Sequence, residues 1–274
     1  MVREITERML HYPYRRHCLH ALVRINIIRI DSELLCRELI HYLITIQAEH
    51  MQRENKVKAP TTVGTLEEFG RIRLSPSFFM RDFLFSEIAM VCSIPNIPDN
   101  PDLAVEVGKH LCTELLEPLN ATFGRIAIRS AFRSCAVNQR GNDKGAGCAK
   151  NESNYAGHIW DHLDKNEKKG ATACIVVPWF ADRYAAGADW RAMAYWIHEN
   201  LPYSELEFFP KLAAFNISWH EIPKRKIISY IGPKTLLDTT GPTGTHADLY
   251  SDFPEFRRTL IHRAQHVQGG KSPM

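Results

Sequence analysis

A chain of 274 residues, 45% hydrophobic and 24% charged, is long enough to bury a core and ordinary in composition for a globular protein. Its net charge of +3 is small and its basic residues are scattered, so no specific nucleic-acid partner is expected. No apolar run reaches the roughly 20 residues of a membrane helix. The basic, charge-broken start lacks the apolar core of a secretory signal, so a cytoplasmic monomer is expected. The seven cysteines are odd in number and contain no CxxC, which points to reduced thiols. Cys135 and Cys148 flank a glycine-rich loop and can pair in an oxidising compartment.

Residues 1–65 read as a helical lead and linker. Leu34, Leu35, Leu39, Ile40, Leu43 and Ile46 recur at helical spacing behind a cap at Asp31 or Ser32. "KVKAPTTVGT" then marks a boundary. "SPSFFMRDFLFSEIAMVC" predicts one helix, broken by "NIPDNP". "PDLAVEVGKHLCTELLEPLNATFG" predicts a second, with an apolar stripe from Leu103 to Leu119, a kink at Pro118 and a stop at Gly124. "RIAIRSAF" alternates as a strand, "NQRGNDKGAGCAKNES" is a loop, and "ACIVVPWF" is a buried strand closed by Pro178. "DWRAMAYWIHENLP" is a helix, followed by "ELEFFP", "FNISWHE" and "KIISYIG" as an antiparallel meander. The fold class is α+β: an antiparallel sheet with helices packed on one side. A catalytic-type domain would span 66–235, and 236–274 would be a partly disordered C-terminal extension.

Several features have plain structural readings. Trp160, Trp179 and Trp190 suit core or rim packing more than a substrate groove. "NQRGNDKGAG" lacks the GK[ST] of a phosphate loop. Arg257, Arg258, His262 and Arg263 make a solvated basic patch. Metal-capable side chains, by contrast, gather beside strands. They are His158 with Asp161, His162 and Asp164 behind it, Cys174 on the buried strand, and His220 in "SWHE". Zinc takes nitrogen, sulfur and carboxylate ligands and leaves one position for water. His158, Cys174 and His220 fit that chemistry, with Asp161 as an alternative ligand. A hairpin of 205–209 with 215–221 would bring Glu207 beside the His220 strand as general base.

"LSPSFFMRDFLFSEIAMVCSIPNIPDNP", "LLEPLNATFGRIAIRSAFRSCAVN" and "WIHENLPYSELEFFP…FNISWHEI" occur in that order over about 160 residues. Together they resemble the M15-type zinc D-alanyl-D-alanine carboxypeptidases and peptidoglycan peptidases, which share the hedgehog/DD-peptidase fold. The resemblance implies zinc-dependent hydrolysis of peptidoglycan peptides. His158 would be the first ligand and His220 the last. Arg133 would hold the substrate carboxylate or polarise its carbonyl, and Ser134 and Asn138 match the same motif. The family's S-x-H-x-x-G-x-A-x-D is altered here. Ala156 stands at the serine, "IWDHLDKNEKK" separates His158 from Gly170, and Cys174 stands at the aspartate. A gapless register from Ser153 puts Tyr155 at the histidine and His162 at the aspartate, but detaches the motif from its strand. The alternative function is a catalytically inactive M15-like module that binds cell-wall or phage-structure partners.

Overall fold

The computed structural model describes residues 56–242 and 244–257. The expected lead helix, the cysteines before Cys92, and Arg258, His262 and Arg263 lie outside them. The second of two compact units begins at Val57, inside the stretch read as a linker. Its first helix, α1 (Val63–Gly70), was not expected. The threonines of that stretch form it, because Thr62 and Thr65 build a reciprocal cap on its first turn.

The long helix expected over 75–92 is broken in two. Asp82 accepts from the Phe79 backbone N–H and sets up a 3₁₀ turn, Met80–Phe83. Ser86 then caps a separate helix, α2 (Glu87–Cys92). Local side-chain capping has outcompeted helix continuity here. α3 (Pro101–Leu111) starts on an Asn100 cap with proline in its first turn. It runs through a wide π turn, Cys112–Leu116, into α4 (Glu117–Phe123). Pro118 lies just after that turn. Gly124, at φ 82°, ends the run as expected.

Six strands form one mixed sheet in the order β1-β2-β4-β3-β5-β6. They are β1 (Ala127–Ser130), β2 (Gly170–Val176), β3 (Glu205–Phe208), β4 (Phe215–His220), β5 (Lys226–Ser229) and β6 (Thr235–Leu236). The expected meander needs correcting. The β3–β4 hairpin is present, but the chain then crosses the start of β3 and lays β5 along its other edge, parallel to it. Arg225, at φ 54°, makes that turn. Its guanidinium donates to the carbonyls of His198 and Leu201, at the end of a helix introduced below.

Among the described residues four more α-helices follow: α5 (Cys135–Asp143), α6 (Asn151–Asn154), α7 (Pro178–Ala185) and α8 (Trp190–Asn200). α5 fills most of what reads as a glycine-rich loop. It forms because Ser134 caps it, accepting from the Val137 N–H at 3.3 Å. Alternation sorts the sheet into two faces. Ala173 and Ile175 of β2, Phe215 and Ile217 of β4, and Leu206 of β3 are fully buried in one cluster with Leu111, Leu115, Leu119, Met193 and Ile197 of the helical layer. Each of these side chains other than Ala173 contributes roughly 1.5–3 kcal/mol by leaving water. The sheet runs past residue 235, and Tyr250, Phe253 and Phe256 pack on this core. Trp160 is fully buried and donates to the Thr172 carbonyl at 3.0 Å, while Trp179 packs on Phe123 and Phe253. The opposite face of the sheet carries the polar positions.

Candidate functional site

On that polar face the register aligns one row of side chains. Ser130 of β1 faces Cys174 of β2, Cys174 faces Asn216 of β4, and Asn216 faces Glu207 of β3. The Asn216 amide donates to Glu207 Oε2 at 2.8 Å. Adjacent strands lie about 4.8 Å apart, so Cys174 and Glu207 are roughly 10 Å apart through Asn216. Cys174 also touches the small apolar cluster of Val176, Ala181 and Ala214, and burial raises its thiol pKa. It is a thiol, not a ready thiolate.

His158 joins this row from the neighbouring loop. The Arg133 N–H donates to the His158 carbonyl at 2.8 Å, and the Thr172 N–H donates to the Gly157 carbonyl at 2.9 Å. These two bonds hold the loop beside β2. The ring is buried, and its Nδ1 lies 2.8 Å from the Ala131 carbonyl. A carbonyl only accepts, so Nδ1 carries the proton and Nε2 is an unprotonated acceptor. Asn216 is within hydrogen-bonding reach of the ring. Burial, with the Arg133 charge beside it, lowers the His158 pKa to about 3. The loop is strained just ahead of it, since Ala156 takes a left-handed backbone at φ 53°.

Arg133 stands next to His158 and Cys174. Its Nη1 donates to Asn138 Oδ1 at 3.3 Å and to the Cys148 sulfur. Its Nε is buried with no hydrogen-bond partner, and among the described residues it forms no ion pair with a carboxylate. Burial lowers its pKa. Ser134 and Asn138, the other residues of that motif, have structural bonds. Ser134 caps α5 and donates to the Pro95 carbonyl. Asn138 is fully buried and ties together Arg133, Ala149, Asn151 and Asn154.

His220 is elsewhere. It pairs with Gly170, whereas Cys174 pairs with Asn216. Four residues of strand, about 13 Å, therefore separate its Cα from that of Asn216. Its Nδ1 accepts from the Ile222 N–H at 3.0 Å, and its Nε2 lies 3.3 Å from Asp164 Oδ2. His158, Cys174 and His220 do not converge as three ligands, and the zinc set implied by the resemblance is not assembled from them. Asp161 is also apart from the row. Its buried carboxylate takes the Asp99 N–H at 2.6 Å on one oxygen, and His162 Nδ1 is 3.2 Å from the other. Cys135 and Cys148 are both free thiols.

Among the described residues one group can hold a metal ion: Asp99, Cys135 and His162, whose donor atoms lie within 4.8 Å of one another. Tyr155 stacks on His162 with ring centroids 4.8 Å apart. Sequence alone did not expose this group, since its members come from three separate segments. The place of Asn216 was half legible: in "FNISWH" it shares a face with Ser218 and His220, but only the register selects which of them meets Cys174. A cavity of about 200 Å³ lies away from both sites, lined by Tyr195, His198, Arg225 and Asp238 among others. Arg225 and His198 there are occupied at the end of α8 and with Tyr203. No helix among the described residues is long and apolar enough to cross a membrane. No family model, no curated protein and no solved structure matches this chain, so the reading of its function stands on these residues.

Proposed function

We propose that the chain is an M15-like module that holds a peptidoglycan-type peptide by its terminal carboxylate, at Arg133 beside the row of Cys174, Asn216 and Glu207. One observation carries this reading: the Arg133 guanidinium has no carboxylate partner among the described residues, and its buried Nε has no acceptor. A buried donor left without an acceptor costs about 1–3 kcal/mol. Nη1 is already engaged by Asn138 and Cys148, which leaves the edge formed by Nε and Nη2. A carboxylate matches two parallel N–H donors of that kind. His158, an uncharged acceptor at neutral pH, stands beside that guanidinium.

Zinc-dependent hydrolysis of the same peptides, by a carboxypeptidase or endopeptidase reaction, is the second reading. The His158 ring favours it, because a zinc-ligating histidine is held in the same way, with one nitrogen fixed on an acceptor and the other unprotonated. The row offers Cys174 beside it, but Asn216 stands where a third ligand would be needed, and an amide is a poor substitute for imidazole or thiolate at zinc. Binding is therefore the preferred role. The test is calorimetric titration with a peptide ending in D-alanyl-D-alanine and with its C-terminal amide. Binding of the acid alone, lost in Arg133→Met, is the expected result. Equal binding of the amide would sink this reading. Release of alanine on adding zinc, abolished in Glu207→Gln, would establish the second.

A further inference from the structure

Asp99, Cys135 and His162 come from the turn before α3, the first residue of α5 and the loop after Trp160. A single buried carboxylate draws these segments together. Asp161 Oδ2 accepts from the Asp99 N–H at 2.6 Å and from the Asn100 N–H at 3.4 Å, while its Oδ1 is 3.2 Å from His162 Nδ1. A carboxylate on one imidazole nitrogen fixes the proton there and leaves the other nitrogen to coordinate, the arrangement that commonly backs a metal-binding histidine. The Cys135 sulfur is 3.7 Å from His162 Nε2 and 3.8 Å from Nδ1, so it has to swing toward the Nε2 side to share an ion with that nitrogen. In a tetrahedral zinc site with ordinary bond lengths, sulfur and nitrogen ligands stand roughly 3.6 Å apart. Asp99 is exposed and Cys135 and His162 are half-buried, so solvent can reach the group.

A cysteine, a histidine and a carboxylate in sequence also describe a nucleophile with its base. The surrounding charge decides between the two. An activated cysteine sits in electropositive surroundings. Here Asp99 brings a carboxylate oxygen within 4.8 Å of the Cys135 sulfur, and the buried Asp161 carboxylate stands behind His162. The same anions favour a cation that would take the thiolate as ligand.

We propose that Asp99, Cys135 and His162 bind a borderline divalent transition-metal ion, zinc foremost, with a fourth position open to solvent. Asp161 is the positioning residue. The site is separate from the sheet row and stands or falls independently of the peptide-binding reading.

The full chain, stripped by a chelator, is titrated with zinc alone and with cobalt(II), whose charge-transfer band reports a thiolate ligand. One equivalent with that band is expected. Cys135→Ser should remove the band, Asp99→Asn should weaken binding at least tenfold, and Asp161→Asn should weaken it about 10–100-fold, as loss of an outer carboxylate does. Asp99 is exposed, so its variant tests the idea even where a buried one fails to fold. Cys174→Ala should leave the affinity unchanged. Absence of a thiolate band, its survival in Cys135→Ser, or loss of binding in Cys174→Ala would overturn the proposal. Rapid alkylation of Cys135 at neutral pH that zinc does not slow would also overturn it, in favour of a nucleophile.

Discussion

Replacing His158 with a side chain that cannot titrate should flatten the acid sensitivity of the fold. In the folded protein the ring's pKa is pulled from 6.5 to about 3 by burial and by Arg133. A depressed pKa means that the unfolded chain binds the proton more readily. No penalty exists above about pH 6.5, and it grows as the pH falls from there toward about 3. At pH 5 the unfolded imidazole is mostly protonated and the folded one is not. At about 1.4 kcal/mol per pH unit over the roughly 1.5 units crossed, the loss is about 2 kcal/mol. For a unit of this size that is a fall in melting temperature of about 4–8 °C. The assay is urea unfolding at pH 8 and pH 5 for the parent and for His158→Gln. The variant is expected to be less stable at pH 8, because Ala131 loses its donor. Its loss between the two pH values should nonetheless be smaller by about 2 kcal/mol. The difference between the two differences cancels the other titrating groups. Equal pH dependence in both proteins would show that His158 is neither buried nor neutral as described.

Three further outcomes are expected. Gly170→Ala places a methyl group against the Ala156 carbonyl oxygen and 2.9 Å from His220 Cδ2, and should cost about 1–3 kcal/mol by overpacking, read as a lower urea midpoint. Glu117→Gln weakens a buried carboxylate that accepts from Ser75 Oγ at 2.7 Å and the Ser77 N–H at 2.6 Å. It should cost about 2 kcal/mol, and an unchanged midpoint would show that these bonds contribute little. Asn138→Ala removes the four hydrogen bonds that tie Arg133 and the 149–154 segment to α5, and should cost about 2–4 kcal/mol together with faster amide exchange across 149–154.

The parts of the fold legible in the sequence were those with strong period and punctuation. The apolar run that became β2 was closed by Pro178, "DWRAMAYWIHENLP" gave α8, and "FNISWHE" placed β4. What escaped was set by distant contacts. Nothing local distinguishes β5 continuing a meander from β5 crossing β3, because the choice depends on where Arg225 finds carbonyls at the end of α8. α5 hid behind its glycines, since Gly141 weakens the helical signal while it makes room for Cys148 and Ile88. The candidate site was split in the same way. His158, Cys174, Arg133 and Glu207 could be named from the sequence, but their spacing across the sheet, with Glu207 two strands from Cys174, could not. That Asn216 rather than His220 faces Cys174 is a matter of register, which composition does not encode.

The division of the sheet into two faces also bears on how such a protein can change. Ala173, Ile175, Phe215 and Ile217 hold the helical layer and leave little freedom to vary. Cys174 and Asn216 project the other way from the same two strands, so their identities can drift without disturbing that packing. Two exchanges, Cys174→Asp and Asn216→His, would set an acid and an imidazole beside the Nε2 of His158 on an unchanged scaffold. By this geometry, the polar face of the sheet can change its donor set by point mutation while the layer that holds the fold together stays as it is.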